Sequence, residues 1–197
     1  MHALMPANDT AAVAAETPEA VLLLRAGAGD RQAFDELAQR TARPSLALAL
    51  RVLGDSARAE DAVQDALTKL WLSAARFEPA RGSFSAWWRR ILMNCTLDAR
   101  RRLRPVTPLD DIAETADPAP DPLADAETTD LAAQVQLAMA QLPARQRAAM
   151  TLFYSEDLSM KEIADALDST PKAIEGLLLR GRTALRDSLA YLKDEIT

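Results

Sequence analysis

Apolar positions recur along this chain at intervals of three and four residues, and that period is helical. A first run begins near Pro18 with AVLLLRA, and the pattern restarts after Gly29-Asp30, gathering Phe34, Leu37 and Ala38 on one face. Pro44 is expected to interrupt this second helix, because proline lacks an amide proton and crowds the preceding turn. The apolar run SLALALRVL follows it up to Gly54. Asp55 and Ser56 are cap residues for a helix over about 57–76. Its apolar stripe is Val63, Leu67, Leu70 and Trp71, and its other face presents Asp61, Gln64, Asp65 and Thr68. Beyond the loop 78–82, a further helix is predicted over about 83–103.

The C-terminal part carries four helical segments, at about 128–142, 144–155, 159–167 and 171–192. Ser159-Met160-Lys161-Glu162 has the spacing of a capping box, in which Ser and Glu satisfy each other's free amide donors. Thr170-Pro171 places a cap before a proline at the first helical position, where no amide bond is lost. Two short helices joined by a tight turn near Asp168-Ser169 form a helix-turn-helix. On the last helix Ile174, Leu178, Gly181 and Leu185 point inward, while Lys172, Gly176, Arg180 and Thr183 point outward, with Leu179 near them.

Composition agrees with helices. Of 197 residues 49% are apolar, enough for a packed core, while six Gly and 5% aromatics sit among abundant Ala, Leu, Arg and Glu. The fold class expected is all-α. Cys95 is the only cysteine and His2 the only histidine, which excludes a disulfide scaffold, a Cys/His zinc site and any His-dependent triad. Cys95 itself reads as a small buried apolar residue.

The net charge of -6 argues against nucleic acid until it is divided along the chain. Residues 51–105 carry +5 and residues 106–143 carry -8, so the acidity is concentrated in one segment. Residues 106–127 hold seven acids, repeated prolines and no base, a composition that reads as a linker. The expected organisation is a tail over 1–17, a helical domain over 18–105, the acidic linker over 106–127 and a second helical domain over 128–197. The first eighteen residues have no basic start and no long apolar run, so neither a signal peptide nor an anchor is read there. With no stretch long enough to span a membrane, a cytoplasmic protein is expected.

On a helical wheel from Phe84, residues Phe84, Trp88, Ile91, Leu92, Cys95 and Ala99 gather on one side, and Arg89, Arg90, Arg100, Arg101 and Arg104 on the other. From Arg76 to Arg104 there are eight arginines against Glu78 and Asp98. Guanidinium forks suit phosphate oxygens, so this face reads as a nucleic-acid surface; a solvated, salt-bridged helix face is the alternative. Trp87 and Trp88 beside it are of the type that stacks on unpaired bases, although Trp88 also points toward the core.

Three runs in order carry a family likeness: AEDAVQDALTKLW (59–71), GSFSAWWRRILMNCTLDARRR (82–102) and LPARQRAAMTLFYSEDLSMKEIADALDSTPKAIEGLLLRGRTALR (142–186). Together they resemble bacterial RNA polymerase sigma factors of the extracytoplasmic-function class. The resemblance implies two helical domains that hold core RNA polymerase and read two promoter elements. It implies polymerase contacts from Asp61, Gln64, Asp65 and Thr68. It implies contacts to a melted −10 element from Arg81, Trp87, Trp88, Arg89, Arg90, Asn94, Arg100, Arg101 and Arg104. Contacts to a duplex −35 element are implied for Thr170, Lys172, Ala173, Gly176, Arg180 and Thr183. An anti-sigma factor is a further implied partner, and no cofactor or metal is implied.

The chain departs from the family pattern in its tandem Trp87-Trp88, and in Asp168, Ser169, Glu175 and Leu177, which lower the positive charge around the recognition helix. A helix-turn-helix regulator that never docks on polymerase, or a sigma-like decoy for an anti-sigma factor, are the other readings. The first leaves Asp61, Gln64 and Asp65 without a role; the second is opposed by the basic face of 89–104. No paired carboxylates in a plausible pocket, glycine-rich phosphate loop or metal spacing suggests an enzyme.

Overall fold

The computed structural model describes residues 17–101 and 129–190. The tail over 1–16, the acidic linker 106–127, Arg104 and the end of the last predicted helix lie outside the described residues.

Eight α-helices and two short 3-10 turns make up the described chain, with no strand among them. Helix α1 (Glu19–Gly27) buries Leu22, Leu23 and Ala26. Its end is tied to the next helix by Arg25, whose guanidinium donates to Asp30 at 2.7 Å. Asp30 then caps α2 (Arg31–Leu53) by accepting from the Ala33 amide at 3.1 Å, and Gly54, at φ 72°, ends it in the left-handed conformation. Asp55 caps α3 (Ser56–Ser73) in the same way, accepting from Arg58 at 2.9 Å. The expected continuation of α3 to residue 76 is instead a 3-10 turn, Ala74–Arg76, followed by a second one, Pro79–Arg81. Helix α4 (Phe84–Arg101) closes the N-terminal half.

The expected interruption at Pro44 does not occur, since α2 runs through it for 23 residues. Proline inside a helix costs about 3 kcal/mol. Here the stripe Leu37, Thr41, Ser45, Leu48, Val52 is buried continuously on both sides of an exposed Pro44, and that burial outweighs the local penalty.

The C-terminal half contains α5 (Thr129–Ala140), α6 (Ala144–Tyr154), α7 (Met160–Ala166) and α8 (Pro171–Ser188). The capping box at Ser159 and Glu162 is present, and the Thr170 hydroxyl accepts from Ala173 at 3.2 Å. Ile174, Leu178 and Gly181 are buried, as the wheel expects. A Cβ on Gly181 would lie 2.9 Å from Cγ of Met150, so this glycine sets how closely α8 lies on α6.

The two halves share one apolar core, with α4 packed on α7 and α2 on α6. Arg147 sits at this junction, fully buried, and donates to the Val52 carbonyl at 3.1 Å, to Leu142 at 3.1 Å and to Ala140. Helix α4 is therefore not the two-sided helix the wheel suggests. Met93, about 180° from Phe84 at 100° per residue, is completely buried, and so is most of Leu97 beside it.

Candidate nucleic-acid interface

Helix α4 opens at Ser83, whose hydroxyl accepts from the Ala86 amide at 3.2 Å, and the first of the two 3-10 turns before it packs on α1 and α3. Between this loop, α2 and α4 lies an open cleft of about 940 Å³, lined in part by Arg40, Ser45, Arg81, Phe84, Trp88 and Arg89. Trp88 forms its floor: it is 7% exposed, and its indole N–H donates to the Ser45 hydroxyl at 3.0 Å. Trp87 is half-buried and leans on Phe77, with ring centroids 5.3 Å apart. Neither indole stands free in solvent.

Arg81 stands at the cleft rim, 78% exposed, 3.4 Å from Glu78. Arg89 is half-buried; Arg90 is exposed on the far side of the helix and binds Asp168 at 2.6 Å. Asn94 is exposed, Arg100 half-buried, and Arg101 is exposed with Asp98 at 3.8 Å. The structure thus brings Arg81 and Arg89 to the cleft, while Arg90 belongs to the junction with α7. Arg40 and Ser45, contributed by α2, were not foreseen, because nothing local in the sequence ties α2 to a loop more than 30 residues later.

On α3, Asp61, Gln64 and Thr68 are exposed and Asp65 half-buried, in one stripe along the helix. Leu72 continues the stripe one turn on and is 74% exposed. Its spacing of four from Thr68 was the available signal. Behind this surface Cys95 is buried, and burial pushes its thiol pKa up, partly countered by Lys69.

On α8, Thr170, Lys172, Ala173, Arg180 and Thr183 are exposed and Gly176 half-buried, on one side with Leu179, which is 65% exposed. Lys172 pairs with Glu175 at 3.2 Å, which tempers the charge of this face. Arg182, not foreseen, lies over the Phe153 and Tyr154 rings and donates to the Tyr154 hydroxyl at 2.8 Å. Among the described residues there is no cluster of metal-ligating side chains, and no helix is long and apolar enough to cross a membrane.

The family model for sigma-70 region 2 matches residues 37–106, and that for sigma-70 region 4 matches residues 132–185. The chain is 35% identical over 179 residues to the ECF RNA polymerase sigma factor SigM of Mycobacterium tuberculosis, covering 90% of this chain and 87% of that one. It is 30% identical over 175 residues to the ECF RNA polymerase sigma factor SigW of Bacillus subtilis, covering 83% and 92%. Among solved structures, CnrH in complex with the cytosolic domain of CnrY matches at a TM-score of 0.60 with 26% identity, over 88% of this chain and 97% of that one. The sigma factor RpoE with the anti-sigma factor NepR from Bartonella quintana shares the fold at a TM-score of 0.54 and 22% identity, over 87% and 94%.

Proposed function

Because the chain belongs to the extracytoplasmic-function class of RNA polymerase sigma factors, we propose a division of its surfaces among the partners of such a factor. The family places it among transcription initiation factors that bind core polymerase and promoter DNA. On our reading the domain over 18–105 docks on polymerase through Asp61, Gln64, Asp65 and Thr68 of α3, with Leu72 at the edge of that surface. The cleft, lined in part by Arg81, Trp88 and Arg89, with Trp87 next to it in sequence on α4, receives bases flipped from the melted −10 element. Asn94, Arg100 and Arg101 hold the single strand, together with Arg90 once it is free of Asp168, and with Arg104. The domain over 128–197 reads the −35 duplex through Thr170, Lys172, Ala173, Gly176, Arg180 and Thr183.

The observation that carries this reading is the adjacency, on α4, of a cleft large enough for a base and a row of guanidinium groups. Opening a promoter needs both at once, since a captured base leaves a charged backbone that must be held. The chain works as a non-catalytic specificity subunit, without metal or cofactor, in the cytoplasm where its polymerase acts. An anti-sigma factor holds it inactive, as a neighbour of the same fold is solved with a protein domain bound.

The test adds the purified chain to core polymerase stripped of any sigma factor and sequences the transcripts made from genomic DNA. Initiation at a small, reproducible set of sites is expected. Transcripts no different from those of core polymerase alone would overturn the reading.

A further inference from the structure

We propose that Ser45 is a specificity-determining residue, whose hydroxyl donates to an exocyclic carbonyl oxygen of the base that the cleft receives. The inference rests on reading the cleft as the site of base capture, and it names the group that is read there. Ser45 belongs to the lining of the cleft although it is only 3% exposed. On α2 it falls in a buried stripe whose other members are apolar, Thr41 excepted. The Thr41 hydroxyl donates to the Leu37 carbonyl at 2.9 Å, the usual arrangement for a hydroxyl inside a helix. Ser45 does not follow it. Its oxygen accepts from the Trp88 indole at 3.0 Å, and among the described residues no acceptor stands within hydrogen-bond distance of its own proton.

The indole decides which way this hydroxyl works. An indole N–H can only donate, so it occupies a lone pair of Ser45 and leaves the hydroxyl its proton to give. A buried donor without an acceptor is unfavourable, and the wall of the cleft therefore presents a donor that a ligand inside it can satisfy. Donation from Trp88 also polarises the hydroxyl, which makes it the stronger donor.

Thymine, cytosine and guanine each carry an exocyclic carbonyl oxygen, whose two lone pairs accept over a wide range of approach. Adenine carries an amino group in its place, itself a donor. Two donors that face each other both stay unpaired, so the cleft favours the carbonyl-bearing bases over adenine. The arginines along α4 add affinity without choice, because the phosphate is the same at every nucleotide.

The test measures binding of the full chain, by fluorescence anisotropy, to single strands of about 20 nucleotides made of dT, of dA or of abasic sites. The ratio of dT to dA affinity should fall about fivefold from the unaltered chain to Ser45→Ala, the size of one net hydrogen bond. Stacking within dA is a property of the strand and cancels in this comparison. Ser45→Thr, which keeps a hydroxyl, should retain most of the ratio. Trp88→Phe should narrow it, since a hydroxyl released from the indole can turn and accept. If Ser45 only holds the Trp88 ring, Ser45→Ala weakens dT and dA alike and leaves the ratio as it was, which overturns the proposal. An abasic strand bound as tightly as dT by the unaltered chain would overturn base capture itself, and this proposal with it.

Discussion

The indole N–H of Trp88 donates to the hydroxyl of Ser45 at 3.0 Å, joining α4 to the middle of α2 across 43 residues of chain. The bond fixes the ring as the floor of the cleft, and both partners are buried. A buried donor left without its acceptor costs about 1–3 kcal/mol. Ser45→Ala should therefore lower stability by about that amount and the melting temperature by about 2–4 °C per kcal/mol, read by circular dichroism. Capture of flipped bases should weaken as well, measured with a promoter fork.

Two glycines look alike in sequence and differ in their surroundings. A Cβ on Gly27 would stand 2.9 Å from the Ala74 carbonyl oxygen and 3.0 Å from Cα of Ala75, both backbone, whereas one on Gly181 meets the flexible side chain of Met150. Gly27→Ala is expected to destabilise by about 1–3 kcal/mol, and Gly181→Ala by less, because Met150 can yield and alanine favours the helix. Urea titration of both variants checks the order.

The proposed division of surfaces separates two double mutants. Asp61→Lys with Asp65→Lys should reduce affinity for core polymerase and leave binding to single-stranded DNA intact. Arg100→Ala with Arg101→Ala should do the reverse. The second pair should also reduce the salt slope of single-strand binding by about 1.4, since each phosphate no longer neutralised lowers it by about 0.7. Equal loss of polymerase binding in both would contradict the division.

Acid should loosen the C-terminal half at α7. The Glu162 carboxyl is held below its ordinary 4.5 by hydrogen bonds from the side chain and backbone of Ser159. A carboxylate whose pKa is lower when folded contributes its full stabilisation above 4.5, and loses it as pH falls through the folded value. Glu162→Gln should flatten that part of the profile in thermal melts taken between about pH 6 and 3, where protonation of the capping box falls. Asp30, lowered from 3.8 by the Ala33 amide and Arg25, should likewise lose its contribution as pH falls below 3.8.

Caps and apolar periods made most of the fold legible. Asp55, Ser159 and Thr170 each act within three residues of themselves, and each is a cap in the structure, whereas Asp30, which caps α2, reads in the sequence only as a break between helices. Pro44 was misleading because its penalty is local while the burial of Leu37 and Leu48 that overrides it is not. Met93 and Leu97 lay in plain view within an arginine-rich stretch, but their partner helix begins more than 60 residues later, and no period within α4 can reveal it. The cleft follows the same logic. Its arginines are conspicuous in sequence, whereas Ser45 and Glu156 come to it from other parts of the chain.

Arg147 meets its surroundings through the backbone carbonyls of Val52, Ala140 and Leu142. Backbone carbonyls belong to every residue type, so the side chains at 52, 140 and 142 can drift through any substitutions that preserve packing without disturbing these bonds. The guanidinium has no such latitude, since Lys offers a point charge where a planar fork is required. What position 147 recognises is the course of the main chain itself, which makes this one side chain a gauge of whether the ends of α2 and α5 and the connection into α6 have arrived in place.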